Sequence, residues 1–221
     1  MRKINYMICL VAMAATGFNA TAQNNKDAAG KTPATESQVK EARAKEAQKA
    51  QAQTQDEQMK AWMTYMTPGP MHEMLAKANG EWTQEVTMWM DPAAPPTKST
   101  ATCTNTMILG GRYQQSTSKG DMNGMPFEGT STVGYDNSKK VFMSTWIDNM
   151  GTGIMYTEGT YDEKTKTINF GGECVDPMSG KQMKIRETFK MIDDNNQYME
   201  MFMTQNGKEF KTMEIKFTRK M

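Results

Sequence analysis

The chain is poor in histidine, in cysteine and in net charge. Its 221 residues include one His and three Cys, and 26 basic side chains nearly balance 25 acidic ones. This balance argues against a nucleic-acid binder held by a basic surface and against an acidic tail protein. We therefore expect no nucleic-acid partner.

The scarcity of histidine restricts the catalytic chemistry that the chain can perform. Nucleophilic sites need a base beside the Ser or Cys, and the single His72 lies on a short predicted helix, where a surface or capping role is expected. The sequence has no nucleophile elbow, phosphate-binding loop, H-E-x-x-H or C-x-x-C motif. Paired carboxylates leave no local motif, so the sequence does not exclude them. The prediction is a protein that is not an enzyme, with no catalytic residues, no metal and no cofactor.

Long hydrophobic runs are also missing, and the one short run lies at the start of the chain. Arg2 and Lys3 precede an apolar stretch over residues 4–18, and Ala-Thr-Ala follows at 20–22. This order is typical of a secretory signal peptide over residues 1–22. The stretch is too short to span a bilayer, and no later segment reaches 18 apolar residues. We expect an exported protein, periplasmic or extracellular, without a membrane span.

Two cysteines, Cys103 and Cys174, lie beyond the predicted signal peptide. An oxidising compartment permits a disulfide, but nothing in their spacing specifies one, and a domain of this length does not need one. The simpler interpretation is two small buried hydrophobic side chains. The sequence leaves the bridge open.

Composition divides the region before the strands into two parts. Residues 23–58 are rich in Ala, Gln, Lys and Glu without an apolar stripe, which predicts a solvated helix or a partly disordered spacer. From Met59 onward Trp62, Met63 and Met66 fall at helical spacing, and 67–70 (T-P-G-P) end that segment before a second short helix over 71–79. Residues 59–79 are therefore predicted to be short helices that dock on the following domain.

Residues 80–221 contain ten segments rich in Thr, aromatic and β-branched residues, separated by Gly, Pro, Asn and Asp. No gap between them is long enough for a crossover helix, so neighbouring strands must be antiparallel. Closure into a barrel would remove two long sheet edges. The prediction is an all-β fold, a ten-stranded antiparallel up-and-down β-barrel. Its strands are expected at 81–90, 98–108, 112–118, 126–135, 140–148, 153–161, 166–175, 181–192, 197–204 and 208–219.

A weak internal repeat distinguishes the two ends of this barrel. Segments 135–141, 161–167 and 192–198 each place an Asp after an apolar residue, and a strand resumes five residues later. Asp opens such turns because its carboxylate accepts backbone N–H groups two residues on. All three turns fall at one end. Longer connections collect at the other end, which we therefore predict to be the mouth of the barrel.

Specific residues resemble known families. Gly80 and Trp82 on the first strand, with Arg219 closing the last, resemble the calycin arrangement, in which a first-strand Trp packs beneath a basic residue at the closed end. More specific motifs resemble the bacterial domain-of-unknown-function family 1579 over about residues 70–220. They are M-I-L-G-G-R-Y (107–113), F-E-G (127–129), G-Y-D (134–136), W-I-D (146–148), G-T-Y-D (159–162) and M-E-I (213–215). The resemblance implies a lipocalin-like barrel and no established activity.

Methionine is the one residue in clear excess, with 24 copies. Thioethers suit soft metals such as Cu(I). However, Met88 with Met90, and likewise the methionines at 199, 201 and 203, would share a strand face, as an inward apolar row should. Packing is therefore the preferred interpretation. Four methionines in predicted mouth loops would instead form an adaptable apolar rim: Met122, Met125, Met150 and Met178.

Charged and aromatic residues within the strands are the candidate ligand contacts. Glu187 falls on an otherwise apolar face of its strand, where it must be paired, hydrated or protonated unless the strand twists enough for it to reach water. Arg112 is a candidate partner for it. One sequence does not fix strand register, so the inward or outward sense of the others stays open. The predicted ligand-binding residues are Tyr113, Met122, Trp146, Asp148, Met150, Tyr156 and Glu187.

These observations favour an exported, non-catalytic protein that binds a small hydrophobic molecule inside a lipocalin-like barrel. The main alternative is a barrel filled by its own side chains, acting as a structural or protein-interaction module. A Met-based metal binder is the third. An interior of a few hundred Å³ that opens at the loop-rich end favours the first, and a packed interior favours the second. The oligomeric state is left open.

Overall fold

The computed structural model describes residues 35–221 except Pro92, Asn123, Met178 and Asn206. The predicted signal peptide and the predicted mouth residue Met178 lie outside the described residues. The elements are helices α1 (Glu36–Met66) and α2 (Pro70–Ala76), followed by strands β1 (Gly80–Met88), β2 (Thr97–Ile108), β3 (Tyr113–Met122), β4 (Met125–Asp136), β5 (Val141–Asp148), β6 (Met155–Asp162), β7 (Thr167–Val175), β8 (Gln182–Met191), β9 (Asn196–Gln205) and β10 (Lys208–Arg219).

The ten strands form a closed antiparallel barrel in which each strand pairs with its neighbours in sequence and β1 pairs with β10. At this closing seam Trp82 lies opposite Arg219, and Met88 lies opposite Met213. The predicted fold is confirmed. The strand boundaries differ from the predicted ones by a few residues. The largest difference in interpretation concerns Met90, which lies beyond the end of β1 and is 82% exposed rather than sharing an inner face with Met88.

The three predicted Asp turns lie at one end of the barrel and have the expected hydrogen bonds. The Asp136 carboxylate accepts the backbone N–H groups of Ser138 (2.7 Å) and Lys139 (3.0 Å). Asp162 accepts the backbone N–H of Lys164 at 2.9 Å, and Asp193 accepts a backbone N–H of its own turn. These backbone donors hold the pKa of all three carboxyl groups below the usual range.

Helix α2 closes the barrel at the end where these turns lie. Its side chains Leu75 and His72 are buried. The backbone N–H of Gly69 donates to His72 Nδ1 at 3.0 Å, so His72 caps the helix as predicted, although it is not a surface residue. Burial lowers its pKa.

Barrel side chains bond the carbonyl groups at the end of α2, which the helix itself leaves unsatisfied. Trp82 Nε1 and Asn105 Nδ2 both donate to the carbonyl of Ala78, at 2.9 and 3.0 Å. Arg219 donates to the carbonyls of Lys77 and Asn79, each at 2.6 Å, and its guanidinium stacks over the Trp82 ring at 4.3 Å. The structural roles predicted for Trp82 and Arg219 thus extend to holding α2 in place. Gly80 has a φ of +115°, which favours glycine, and an added Cβ would lie 3.2 Å from Arg219 Nη1.

The described residues fall into two units, 35–51 and 52–221. In the first, residues 36–51 are helical and exposed throughout, with ion pairs one turn apart such as Lys45 with Glu41 at 2.7 Å. In the second, the end of α1 meets the barrel through its backbone. Arg112 Nη2 donates to the Met66 carbonyl at 2.7 Å, and Asn137 Nδ2 donates to that of Thr67 at 2.8 Å.

The predicted docking of the α1 apolar stripe is not observed. Met59, Trp62 and Met63 are 61%, 57% and 52% exposed. The carbonyl groups of the last turn, rather than this stripe, contact the barrel, so the apolar side chains remain in solvent. Among the described helices, α2 is therefore the one that docks on the barrel through buried side chains.

Candidate ligand cavity

A cavity of about 390 Å³ lies inside the barrel. Its size falls in the range of about 300–1,000 Å³ that is usual for small-molecule pockets. Met74, Leu75 and Ala78 at the end of α2 form its floor. Met88, Met122 and Trp146 line it near the end with the longer connections. The barrel interior is therefore not filled by its own side chains.

The wall formed by β7–β10 is apolar and rich in methionine. Met201 lies beside Met213 on the neighbouring strand, and Met199 lies beside Ile215. Phe189 and Phe217 contact each other edge to face, with ring centroids 5.7 Å apart. The residues lining this wall are Ile168, Phe170, Phe189, Met191, Met199, Met201, Met213, Ile215 and Phe217, with Glu187 and Gln197 as its polar members.

The opposite wall, formed by β2–β5, presents small polar side chains. Asn105, Ser116 and Ser131 are cross-strand neighbours in one row, so they form a continuous polar strip. Strand alternation directs these residues inward together with Ser99, Ser118, Ser144 and Gln114. The cavity thus has one apolar side and one side with hydroxyl and amide groups.

Glu187 is the charged residue within the apolar wall. Its flanking residues on β7 and β9 are Phe170 and Met201. Among the described residues, none hydrogen-bonds its carboxylate or forms an ion pair with it, and the surface that it exposes faces the cavity. Burial raises its pKa to about 7, well above the usual 4.5. Near neutral pH the group is therefore poised between a neutral hydrogen-bond donor and an unpaired anion.

The predicted ligand-binding residues Trp146 and Asp148 are held in a fixed arrangement. Trp146 Nε1 donates to Asp148 Oδ2 at 2.7 Å, and the other carboxylate oxygen accepts the backbone N–H of Met150 at 2.9 Å. The indole stacks on Phe127 with 6.3 Å between ring centroids. It also covers Gly129, where any Cβ would collide with it. A rigid aromatic surface therefore borders the cavity.

Four of the seven predicted ligand-binding residues line the cavity, namely Met122, Trp146, Asp148 and Glu187. The structure does not bring the other three to it. Tyr113 packs over Gly134 on the outer face, and the Tyr156 hydroxyl bonds the outward Glu158. Met150 lies in a loop and is 43% exposed. Met125, predicted to lie in a mouth loop, is instead the first residue of β4 and is 53% exposed.

The proposed partner of Glu187 is also elsewhere. Arg112 bonds the carbonyls of Leu109 and Met66 near the closed end, outside the cavity. The prediction of an Arg112–Glu187 pair is therefore wrong. Register accounts for the outward positions of Tyr113 and Tyr156, because a one-residue change moves a side chain to the other face of a strand. Arg112 lies in the turn between β2 and β3, beyond the strand faces that line the cavity.

The polar strip of Asn105, Ser116 and Ser131 was not predicted from the sequence, and neither was the cavity floor formed by α2. Strand β3 alternates Gln, Ser and Thr on both of its faces, so no hydrophobic contrast marks which face is inward. Buried Gln197 has an Oε1 without a hydrogen-bond partner among the described residues. Gln197 lines both this cavity and a smaller pocket beside Asp193 and Arg219.

Both cysteines are free thiols in the structure. Cys103 is buried on the inner face of β2, and burial raises its pKa, which disfavours the reactive thiolate. Among the described residues, no group of three or more His, Cys, Asp or Glu side chains is placed to hold a metal ion.

Comparison with known protein families identifies the family of this barrel. The model of a family described as a protein of unknown function, DUF1579, matches residues 67–219. The chain belongs to the DUF1579 family. Its match covers α2 and all ten strands, so the cavity and its floor lie within the family domain, whereas α1 lies outside it.

A solved structure resembles the DUF1579 domain in fold. It is the crystal structure of Rv2717c from M. tuberculosis, which is 13% identical, superposes with a TM-score of 0.53, and corresponds to 70% of this chain and 100% of its own. At this identity the likeness concerns the fold alone. No curated protein sequence matches the chain. Over the part of the chain that the structure describes, none of the helices has the length and apolar character needed to span a bilayer.

Proposed function

We propose that this DUF1579 protein is an exported, non-catalytic binder of a small, largely apolar molecule held inside the barrel. The observation that supports the proposal is the cavity of about 390 Å³ lined mainly by Met, Phe and Ile side chains. A barrel that served only as a scaffold or an interaction module would gain stability by filling this space.

Burial of apolar ligand surface would provide the binding free energy, at roughly 25 cal/mol per Å² before ordering costs. Methionine side chains are flexible, so the β7–β10 wall can adapt to the shape of a ligand. The polar strip on the opposite wall, β2–β5, supplies hydroxyl groups that would orient a polar substituent of the ligand. The function proposed is therefore binding with moderate shape selectivity.

Nucleophilic catalysis is not part of the proposal, because none of the described residues that line the cavity is an activated nucleophile. Its one thiol, Cys103, has a raised pKa, and the single His72 packs in α2 and is not among the cavity-lining residues. Export rests on the sequence pattern of residues 1–22. Proteolytic removal of these residues and recovery of the protein outside the cytoplasm would test that part directly.

Native mass spectrometry of the protein purified from its own compartment tests binding. We expect a co-purifying apolar molecule, and we expect small hydrophobic compounds to raise the melting temperature of the emptied protein. The variant Ser131→Phe places an aromatic ring in the cavity and should abolish both effects. Its matched control is Thr132→Phe, which adds the same ring to the outer face of β4 and should retain both.

Two results would contradict the proposal. One is the absence of any co-purifying molecule together with unchanged melting temperatures across a panel of hydrophobic compounds. The other is equal ligand stabilisation of the Ser131→Phe variant and the wild type, because that would locate binding outside the barrel.

A further inference from the structure

The charged residues that line the cavity are all of one sign. Asp121, Asp148 and Glu187 are acidic, and no described lining residue is basic. The arginines nearest in sequence to lining residues are engaged elsewhere. Arg186, beside Glu187 on β8, faces outward and pairs with Glu209 at 2.8 Å, and Arg219 bonds the end of α2. A ligand anion would therefore meet no cationic partner among the described residues that line the cavity.

Glu187 differs from the two other acidic residues because no described residue pairs with its carboxylate. Asp148 accepts Trp146 Nε1 and a backbone N–H, and Asp121 accepts the backbone N–H of Gly124 at 2.6 Å. Strands β7 and β9 present Phe170 and Met201 to Glu187, and neither side chain titrates. The other titratable lining residue is the thiol of Cys103. A buried acidic group without a donor or a cation is costly unless a ligand supplies one.

We infer that the cavity selects apolar molecules that carry a protonated amine, and that Glu187 is the residue that pairs with the amine. This inference rests on the proposed binding function and specifies its ligand class. The conjugate acid of an alkyl amine has a pKa similar to that of a lysine side chain, which is about 10.4. The Glu187 pKa of about 7 is lower, so the proton resides on the amine and the bound pair is ionic.

The surrounding side chains suit the same ligand class. Phe170 and Phe189 lie on the wall next to Glu187, and aromatic faces attract cations through their quadrupole. The methionine side chains beside them would bury the hydrocarbon part of the ligand. A carboxylate ligand of equal length would place like charges near Glu187, or would have to bind as the neutral acid.

Three ligands with the same hydrocarbon chain test the inference. Decylamine, decanol and decanoate would be titrated calorimetrically into the full chain at about pH 8, where Glu187 is mainly ionised. We expect decylamine to bind about tenfold or more tightly than decanol, and decanoate to bind more weakly than decanol. The affinity for decylamine should fall as the pH is lowered to about 5, whereas that for decanol should not.

The variant Glu187→Gln should remove the preference for decylamine and keep the affinity for decanol, which also reports that the barrel is folded. The matched control Glu85→Gln removes one acidic group from an exposed, outward position of β1 and should retain the preference.

The possible results separate the inference from the proposed function. If decanol binds but decylamine binds no more tightly, or if Glu187→Gln keeps the preference, the amine inference is overturned and ligand binding stands. If none of the three compounds binds to the wild type, both are overturned. Should Glu187→Gln fail to fold, a pH-independent affinity of the wild type for decylamine would overturn the inference on its own.

Discussion

Glu187 imposes a pH-dependent cost on the empty barrel. Its pKa is about 7 in the folded protein and 4.5 in the absence of burial, so the folded state binds more protons between these values. A raised pKa contributes stability that is present below about pH 4.5 and is lost as the pH rises through 7. Between about pH 4.5 and 8, we expect the free energy of unfolding of Glu187→Gln to rise by about 1–3 kcal/mol relative to that of the wild type.

Urea unfolding of both proteins at the two pH values measures this difference. His72 also titrates. Because burial lowers its pKa in the folded protein, the unfolded state binds more protons and the protein loses stability as the pH falls below 6.5. Both proteins contain His72, so its effect cancels in the comparison. A stability difference that does not change with pH would mean that Glu187 is well solvated in the cavity.

Individual residues also mark the limit of what the sequence predicts. The inward position of Glu187 was predictable because Met183, Ile185, Phe189 and Met191 alternate with it in an apolar row. Tyr113 and Tyr156 lie on strands whose two faces are similarly polar, so hydrophobic contrast does not define their direction. The sequence thus predicts a site residue best where its neighbours are hydrophobic.

At the scale of elements, α2 is short and depends on the barrel for its stability. An isolated seven-residue helix does not form in water, because nucleation costs more than its few hydrogen bonds return. The burial of Leu75 and the barrel donors to its terminal carbonyls offset that cost. The helix was predictable from its pattern, whereas its role as the cavity floor depends on contacts distant in sequence.

Arg219 makes more hydrogen bonds than the other donors at the end of α2, and its removal should loosen α2. We expect Arg219→Ala to lower the free energy of unfolding by about 2–3 kcal/mol, because it loses hydrogen bonds to three carbonyls and the contact with Trp82. Arg219→Lys should lose less, since one ammonium replaces only part of the planar donor set. Chemical denaturation measures the stability, and hydrogen exchange of the α2 amides measures the loosening.

Arg186→Ala provides the control for this prediction. Arg186 also bonds a carboxylate and stacks on a ring, Phe202, but it lies on the outer surface. Its loss should cost no more than about 1 kcal/mol and should leave the α2 amides protected. Equal effects of the two substitutions would show that Arg219 has no special role in holding α2.

For the molecule as a whole, alternation and turn chemistry predict the barrel, but they do not predict that it is hollow. Ten segments without crossover lengths, together with Asp136, Asp162 and Asp193 in turns, define the topology. The interior volume depends on the sum of side-chain volumes on the inner face, and hence on register. Small inward residues such as Ser116 and Ser131 leave the space, and they are indistinguishable in sequence from outward serines.

Closure of the barrel leaves every strand paired on both sides, which makes the seam between β1 and β10 a sensitive position. Lys216 is exposed in the middle of β10, opposite Glu85 on β1 and Tyr198 on β9. Its backbone N–H therefore faces a paired strand whichever way it points.

Proline in place of Lys216 removes that donor and should destabilise the protein by about 3 kcal/mol or more. Lys216→Thr keeps the donor and a strand-favouring side chain, so it should change stability by less than about 0.5 kcal/mol. Hydrogen exchange should show faster exchange of β1 and β10 amides together in the proline variant, and protection that remained high in both strands would mean that the seam does not close the barrel.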